Sequence, residues 1–134
     1  MKTVSCHFKD AKVLVAEDND ASLEIIKHML NLMQISPDIA LNGEEAVEFA
    51  KKNSYDLLIL DIHMPKMDGN QATREIRTLD VKQPIIVALT ASVFTKENQD
   101  SLDAGFDDYL NKPIELEGIE LLLRKHLVSK LVES

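Results

Sequence analysis

Cysteine is nearly absent: Cys6 is the single one in 134 residues, so no intrachain disulfide and no cysteine-based zinc site can form. That suits a reducing cytoplasm. Tryptophan is missing, and Gly and Pro number only 4 each, which rules out collagenous, low-complexity and broadly disordered chains. Residues 1–12 carry Lys2, Lys9, Asp10 and Lys12 without a continuous apolar stretch, so they read as neither a signal peptide nor a membrane anchor. Positive charge is scarce as well. Lys plus Arg total 15 against 23 Asp plus Glu, and the net charge of −8 repels phosphate backbones and anionic membranes. Nucleic acid is therefore not expected as a direct ligand, and the excess acid suits cations or a basic partner. What the chain does have is 45% apolar residues in a length typical of one domain, so residues 1–134 are expected to form a single self-supporting unit.

There is no internal repeat, no Ser/Gly linker and no long block of like charge. What alternates is periodicity. Short aliphatic or β-branched runs at Lys12 to Ala16, Pro37 to Ala40, Asp56 to Leu60, Pro84 to Leu89 and Phe106 to Leu110 have strand length. Runs such as Leu57-Leu58-Ile59-Leu60 are apolar throughout, as in parallel strands covered on both faces. Between them, Leu23, Ile26, Met29, Leu30 and Met33 recur at three- and four-residue steps and predict a helix over 20–33. Asn42, with Glu45 three residues on, caps a second helix. A third is predicted over 70–79, a sparsely apolar fourth over 96–104 ended by Gly105, and a leucine-rich fifth over 115–131. Five strand-then-helix repeats imply right-handed crossovers and a parallel sheet with helices on both faces. Ligands of such sheets bind beyond the carboxyl ends of the strands.

Those ends offer Glu17 and Asp18 after the first strand, Asp61 after the third, Thr90 after the fourth and Lys112 after the fifth. The second, Asn42-Gly43, offers little. Two carboxylates about 4 Å apart repel by roughly 4 kcal/mol at an effective dielectric of 20, so such a cluster raises a pKa or holds a cation. With oxygen ligands alone on offer, Mg²⁺ is favoured over zinc. A metal beside a hydroxyl and an ammonium is equipment for a phosphoryl group, and an aspartate nucleophile would yield an acyl phosphate.

Glu17-Asp18-Asn19, the segment Asp61-Ile62-His63-Met64-Pro65-Lys66-Met67-Asp68-Gly69, Thr90-Ala91, and Tyr109 ahead of Lys112-Pro113 together resemble the receiver domains of two-component response regulators. The likeness covers about residues 11 to 131. It implies a flavodoxin-like (βα)5 fold with strand order 2-1-3-4-5. It makes Asp61 the phosphoacceptor, served by a histidine kinase or histidine phosphotransfer protein. Asp18 and Asp61 would bind Mg²⁺ directly, with the backbone carbonyl of His63 as third protein ligand and Glu17 acting mainly through water. Lys112 would ion-pair with Asp61 and contact a phosphoryl oxygen, and Thr90 with the Ala91 N–H would take another. Tyr109 would be the aromatic switch that follows Thr90, changing a surface that meets a downstream protein or a second copy. A cis peptide is expected at Lys112-Pro113. On this view the chain is a signalling phosphoacceptor that catalyses only its own phosphorylation and dephosphorylation. His63 and Ser92, each two residues beyond a site residue, occupy positions that commonly govern the lifetime of the acyl phosphate.

Taken singly, several of these features have plainer explanations. Glu17-Asp18 reads as a solvated turn before a capped helix, and Met64-Pro65 and Asp68-Gly69 as loop punctuation. His7, His28, His63 and His126 lack ligand spacing, Met29 and Met33 read as core, and Cys6 reads as an inert thiol outside the likeness. A phosphatase of haloacid-dehalogenase type would need a second Asp where His63 stands. A receiver-like binding module that is never phosphorylated would have no use for an intact Asp61, Thr90 and Lys112. A flavodoxin-like electron carrier would need a hydroxyl- and glycine-rich phosphate loop after the first strand, where Glu17-Asp18-Asn19 stands instead. No output domain is expected after residue 134. This leaves a stand-alone regulator or part of a longer protein such as a hybrid histidine kinase.

Overall fold

A computed structural model describes residues 6–91 and 104–133. The five aliphatic runs become five parallel strands: β2 (Val13–Ala16), β3 (Asp38–Ala40), β4 (Leu57–Asp61), β5 (Ile85–Thr90) and β6 (Asp108–Asn111). Their order is β3-β2-β4-β5-β6, which is the expected 2-1-3-4-5 once a short preceding strand, β1 (Cys6–Phe8), is set aside. Register keeps like with like: Val15 faces Ile59, Ile59 faces Val87, and Leu89 faces Leu110. Every residue of β2 and β4 is buried. This is why those runs show no polar alternation.

Successive side chains of a strand point to opposite faces, and the sheet divides its aliphatics accordingly. Val13, Val15, Leu57, Ile59, Val87 and Leu89 share one core with the apolar stripes of α1 (Asp20–Leu32) and α4 (Leu116–His126). Leu14, Ala16, Leu58, Leu60 and Ile86 share the other with α2 (Gly43–Lys52) and α3 (Gly69–Arg77). Among the described residues two of these helices lie on each face, the doubly wound arrangement. Caps define the helix starts. Asn19 accepts from the Ser22 N–H, Asn42 from the Glu45 N–H, and Asp68 forms a reciprocal capping box with Gln71. The Glu45 carboxylate reaches past Asn42 to the Leu41 N–H at 3.1 Å.

The structure departs from expectation at the two ends of the described chain. The last helix, expected to reach residue 131, stops at His126: Leu127 donates the final helical N–H to Leu123 O but its own backbone leaves the helical region. A 3-10 turn at Val128–Lys130 then leads into β7 (Leu131–Glu133), which pairs antiparallel with β1. Cys6 and Phe8 are buried by that pairing, so the packed core extends toward the amino terminus beyond residue 11. Ser92 and the helix expected over 96–104 lie outside the described residues, save Ala104, which is buried. Gly105 follows it with a left-handed φ of 107°.

Candidate phosphoryl-transfer site

β4 ends on Asp61, and the strand's burial leaves that carboxylate only 4% exposed. Its Oδ1 accepts from the His63 N–H at 2.9 Å and its Oδ2 from Lys112 Nζ at 2.9 Å. Lys112 arrives from the end of β6, where its N–H donates to Thr90 O at 2.7 Å and its peptide bond to Pro113 is cis. Glu17, just past β2, is fully buried. Its Oε1 accepts from the Asn19 N–H at 3.0 Å, while Oε2 lies 3.1 Å from Lys112 Nζ without the alignment of a hydrogen bond. Asp18 next to it is exposed. One oxygen from each of Glu17, Asp18 and Asp61 falls within 4.8 Å of the others.

Asp61 and Glu17 therefore share the Lys112 ammonium, and with Asp18 beside them negative charge is left over. Burial pushes the Glu17 carboxyl up to about 7, helped by Asp61 beside it and opposed by the Asn19 N–H and Lys112. Lys112 is raised as well, but against the effect of burial. Burial alone would lower its pKa, but Asp61 and Glu17 outweigh that and raise it, so the ammonium stays charged. Thr90, the last residue of β5, is buried at the same rim, and Ala91 follows it exposed. His63 contributes its backbone, since its imidazole is exposed. Tyr109 stands apart from the cluster, 42% exposed on the edge strand β6 and registered against Ala88.

Two glycines to which the sequence pattern assigned no role beyond turn or motif positions also shape the site. Gly69 comes so close that a Cβ there would sit 2.4 Å from Asp61 O, and one on Gly43 would sit 2.2 Å from Met67 O. The Asn42-Gly43 strand end, expected to offer little, thus abuts the loop that starts at Asp61. The only available signal was glycine directly after a capping residue.

A model of the response regulator receiver domain matches residues 13–124. The chain belongs to that family. This receiver domain is 39% identical over 132 residues to hybrid signal transduction histidine kinase B of Dictyostelium discoideum, a match covering 89% of the chain and 7% of that protein. It is 36% identical over 115 residues to the aerobic respiration control sensor protein ArcB of Escherichia coli K12, covering 84% of the chain and 15% of ArcB. The chain thus spans a small fraction of the length of these curated relatives. Among solved structures, it resembles the receiver domain of a sensor histidine kinase of Pseudomonas aeruginosa PAO1, which holds a magnesium ion in its active site cleft. The TM-score is 0.83 at 31% identity, over 88% of this chain and 98% of that one. It also resembles the complex of a histidine phosphotransfer signaling protein with the receiver domain of its downstream response regulator, from Saccharomyces cerevisiae. There the TM-score is 0.82 at 30% identity, over 90% and 91% of the two chains.

Proposed function

We propose that this receiver domain is the phosphoacceptor of a two-component phosphorelay and that Asp61 takes the phosphoryl group from a phosphohistidine. One observation carries the reading: Lys112 Nζ lies 2.9 Å from Asp61 Oδ2 and 3.1 Å from Glu17 Oε2, where three strand ends meet. An Asp61 oxygen attacks phosphorus in line while the P–N bond to the donor imidazole breaks. This leaves an acyl phosphate on Asp61 and a free imidazole on the donor. Lys112 orients Asp61 beforehand and afterwards contacts a phosphoryl oxygen. Thr90 and the Ala91 N–H take another oxygen, and Tyr109 follows Thr90 in a population shift of the surface made by β6 and α4.

The donor set fits a hard divalent cation: carboxylate oxygens converge, and the buried Glu17 Oε2 lacks a hydrogen bond. Asp18, Asp61 and the His63 carbonyl would hold Mg²⁺, with Glu17 acting mainly through water. Bound there, the ion offsets negative charge on the transferred phosphoryl oxygens. The chain catalyses nothing beyond its own phosphorylation and dephosphorylation. Its donor is a histidine kinase or a histidine phosphotransfer protein, the class of partner present in the yeast complex. A hollow of about 110 Å³ lined by Ser22, Ile25, Lys112, Pro113 and Ile114, with Ile25 half exposed, supplies an apolar landing beside the acceptor. Downstream, exposed Leu121 and Tyr109 suit a target protein or a second copy. Among the described residues no helix is long and apolar enough to cross a membrane, and a lone buried thiol accords with the cytoplasm.

Intact-mass measurement after incubation with acetyl phosphate, with and without Mg²⁺, tests this. The native chain is expected to gain one phosphoryl group only when Mg²⁺ is present, and Asp61→Asn none. Normal labelling of the variant rejects Asp61 as the acceptor.

A further inference from the structure

α2 and α3 begin alike, each with a glycine just after the side-chain cap, Asn42 or Asp68. In both cases the neighbour that excludes a side chain is backbone, which cannot swing aside as a flexible side chain can. A Cβ on Gly43 would stand 2.2 Å from Met67 O and 2.8 Å from Met67 C, and one on Gly69 would stand 2.4 Å from Asp61 O. Each glycine also donates its N–H into the same loop, Gly43 to Met67 O at 2.9 Å and Gly69 to Ile62 O at 2.9 Å. Between these contacts the Met67 N–H donates to Pro65 O at 2.8 Å across Lys66, whose φ is 67°. A three-residue turn with a left-handed, non-glycine centre is strained and persists only where its surroundings hold it. Gly43 grips its far end. The near end of the same loop is Asp61 and His63.

We propose that Gly43 is a positioning residue for the cation site, seating the loop so that Asp61 and the His63 carbonyl stand in ligating position. The inference rests on the functional reading above and extends it to a helix that contributes no ligand. An added methyl pushes Met67 O away, loosens the Lys66 turn and shifts residues 61–63. Val47 on the same helix is a control for packing: it is buried in the core that Met67 packs against, so Val47→Ala removes side-chain packing near the loop while the Gly43 N–H to Met67 O contact is retained.

The test uses the full chain with three readouts: exchange protection of the Met67 and Gly69 amides without metal, Mg²⁺ affinity by calorimetry, and acetyl phosphate labelling against Mg²⁺ concentration. Gly43→Ala is expected to lose that protection and to bind Mg²⁺ about 10-fold or more weakly, the size usual when support behind a ligand is removed. Its labelling should recover at high Mg²⁺. Val47→Ala should melt earlier yet keep native protection and affinity. Because glycine adopts the φ of Lys66 without strain, adding Lys66→Gly lets the turn adjust around the methyl and restores most of the affinity, which also covers a poorly folding single variant. Native affinity in Gly43→Ala, equal weakening in Val47→Ala, or a double variant without recovery each overturns the proposal. A native chain that binds no Mg²⁺ fails the functional reading and this inference with it. A native chain and a Gly43→Ala variant that bind equally fail this inference alone.

Discussion

At the amino-terminal ends of β5 and β6, Arg77 from the last turn of α3 gathers the chain. It donates twice to Gly105 O at 3.0 and 2.7 Å, to Pro84 O at 3.0 Å, to Gln83 Oε1 at 3.1 Å and to Asp107 Oδ2 at 2.7 Å. At the carboxyl-terminal ends, Lys112 plays a similar bridging part with the opposite outcome. Arg77 meets one carboxylate and neutral carbonyls, so its charge is matched and its donors are used. Lys112 faces Asp61 and Glu17, an Asp18 oxygen lies within 4.8 Å of theirs, and Glu17 Oε2 is left without an aligned donor. A matched cluster has nothing left to bind and acts as structure. An unmatched one in the same fold is held together by its neighbours, and its surplus of negative oxygen is available to a cation.

The sharpest way to break the contrast is at the unmatched end. Asp61→Asn should abolish labelling altogether while leaving the metal-free melting temperature unchanged or higher, because it removes one member of a repelling set. A variant that loses its label only by unfolding would put Asp61 on the structural side. At the matched end the expected effect is large and of the other kind. Arg77→Ala removes five hydrogen bonds and leaves the Gly105 and Pro84 carbonyls and the Asp107 carboxylate poorly paired. At about 0.5–1.5 kcal/mol per bond, a loss of about 3 kcal/mol is expected in urea denaturation. Mg²⁺ affinity and labelling of the folded fraction should stay native. A fall in Mg²⁺ affinity would mean that the two ends are coupled.

The unmatched end was legible in the sequence and the matched end was not, for a physical reason. Parallel aliphatic runs force their carboxyl ends onto one rim, so Glu17, Asp18, Asp61, Thr90 and Lys112 can be gathered by counting strands. Arg77 has no such rule. Three of its five hydrogen bonds go to main-chain carbonyls, which every residue carries and no motif marks. The same limit hid the role of Gly43 and Gly69, whose importance is the absence of an atom against backbone elsewhere in the chain. It also hid β1 and β7, three residues each, whose pairing depends on contacts between the two ends of the described chain rather than on local period. The final helix was read too long because Leu127 and Leu131 continue an apolar pattern, although they bury themselves after the helix has ended.

A subtler distinction between the ends is their response to pH. Glu17 in the folded chain holds its proton up to about 7, chiefly because it is buried, whereas unfolding returns it to the ordinary 4.5. Between those values the folded state binds more protons than the unfolded one, so stability contributed by Glu17 is present at the acid side and lost as pH rises. Urea midpoints of the metal-free chain should therefore fall between roughly pH 5 and roughly pH 7, and Glu17→Gln should flatten the slope. Saturating Mg²⁺ should reverse it, since the cation prefers ionised ligands. Asp108 runs opposite. Burial raises its pKa, but His126 at 2.9 Å, the Tyr109 N–H and Lys125 outweigh that and lower it, so its contribution disappears as pH falls. A Glu17→Gln chain with the native slope would transfer the effect to another group.

The smallest expected effect isolates stability from chemistry. Gly118 lies in the first turns of α4, exposed, and a Cβ built there meets nothing within 4 Å. It is the counterpart of Gly43: the same residue type near the start of a helix, with open space in place of a carbonyl. Gly118→Ala should gain about 0.5–1 kcal/mol, because alanine loses less backbone freedom when the helix forms. Mg²⁺ affinity and labelling should not move, although the position borders the groove that also contains Tyr109 and Leu121. If Gly118→Ala weakened magnesium binding as Gly43→Ala is expected to, helix stiffness rather than the contact with Met67 would govern the loop, and steric seating would be the wrong account of why α2 starts with glycine.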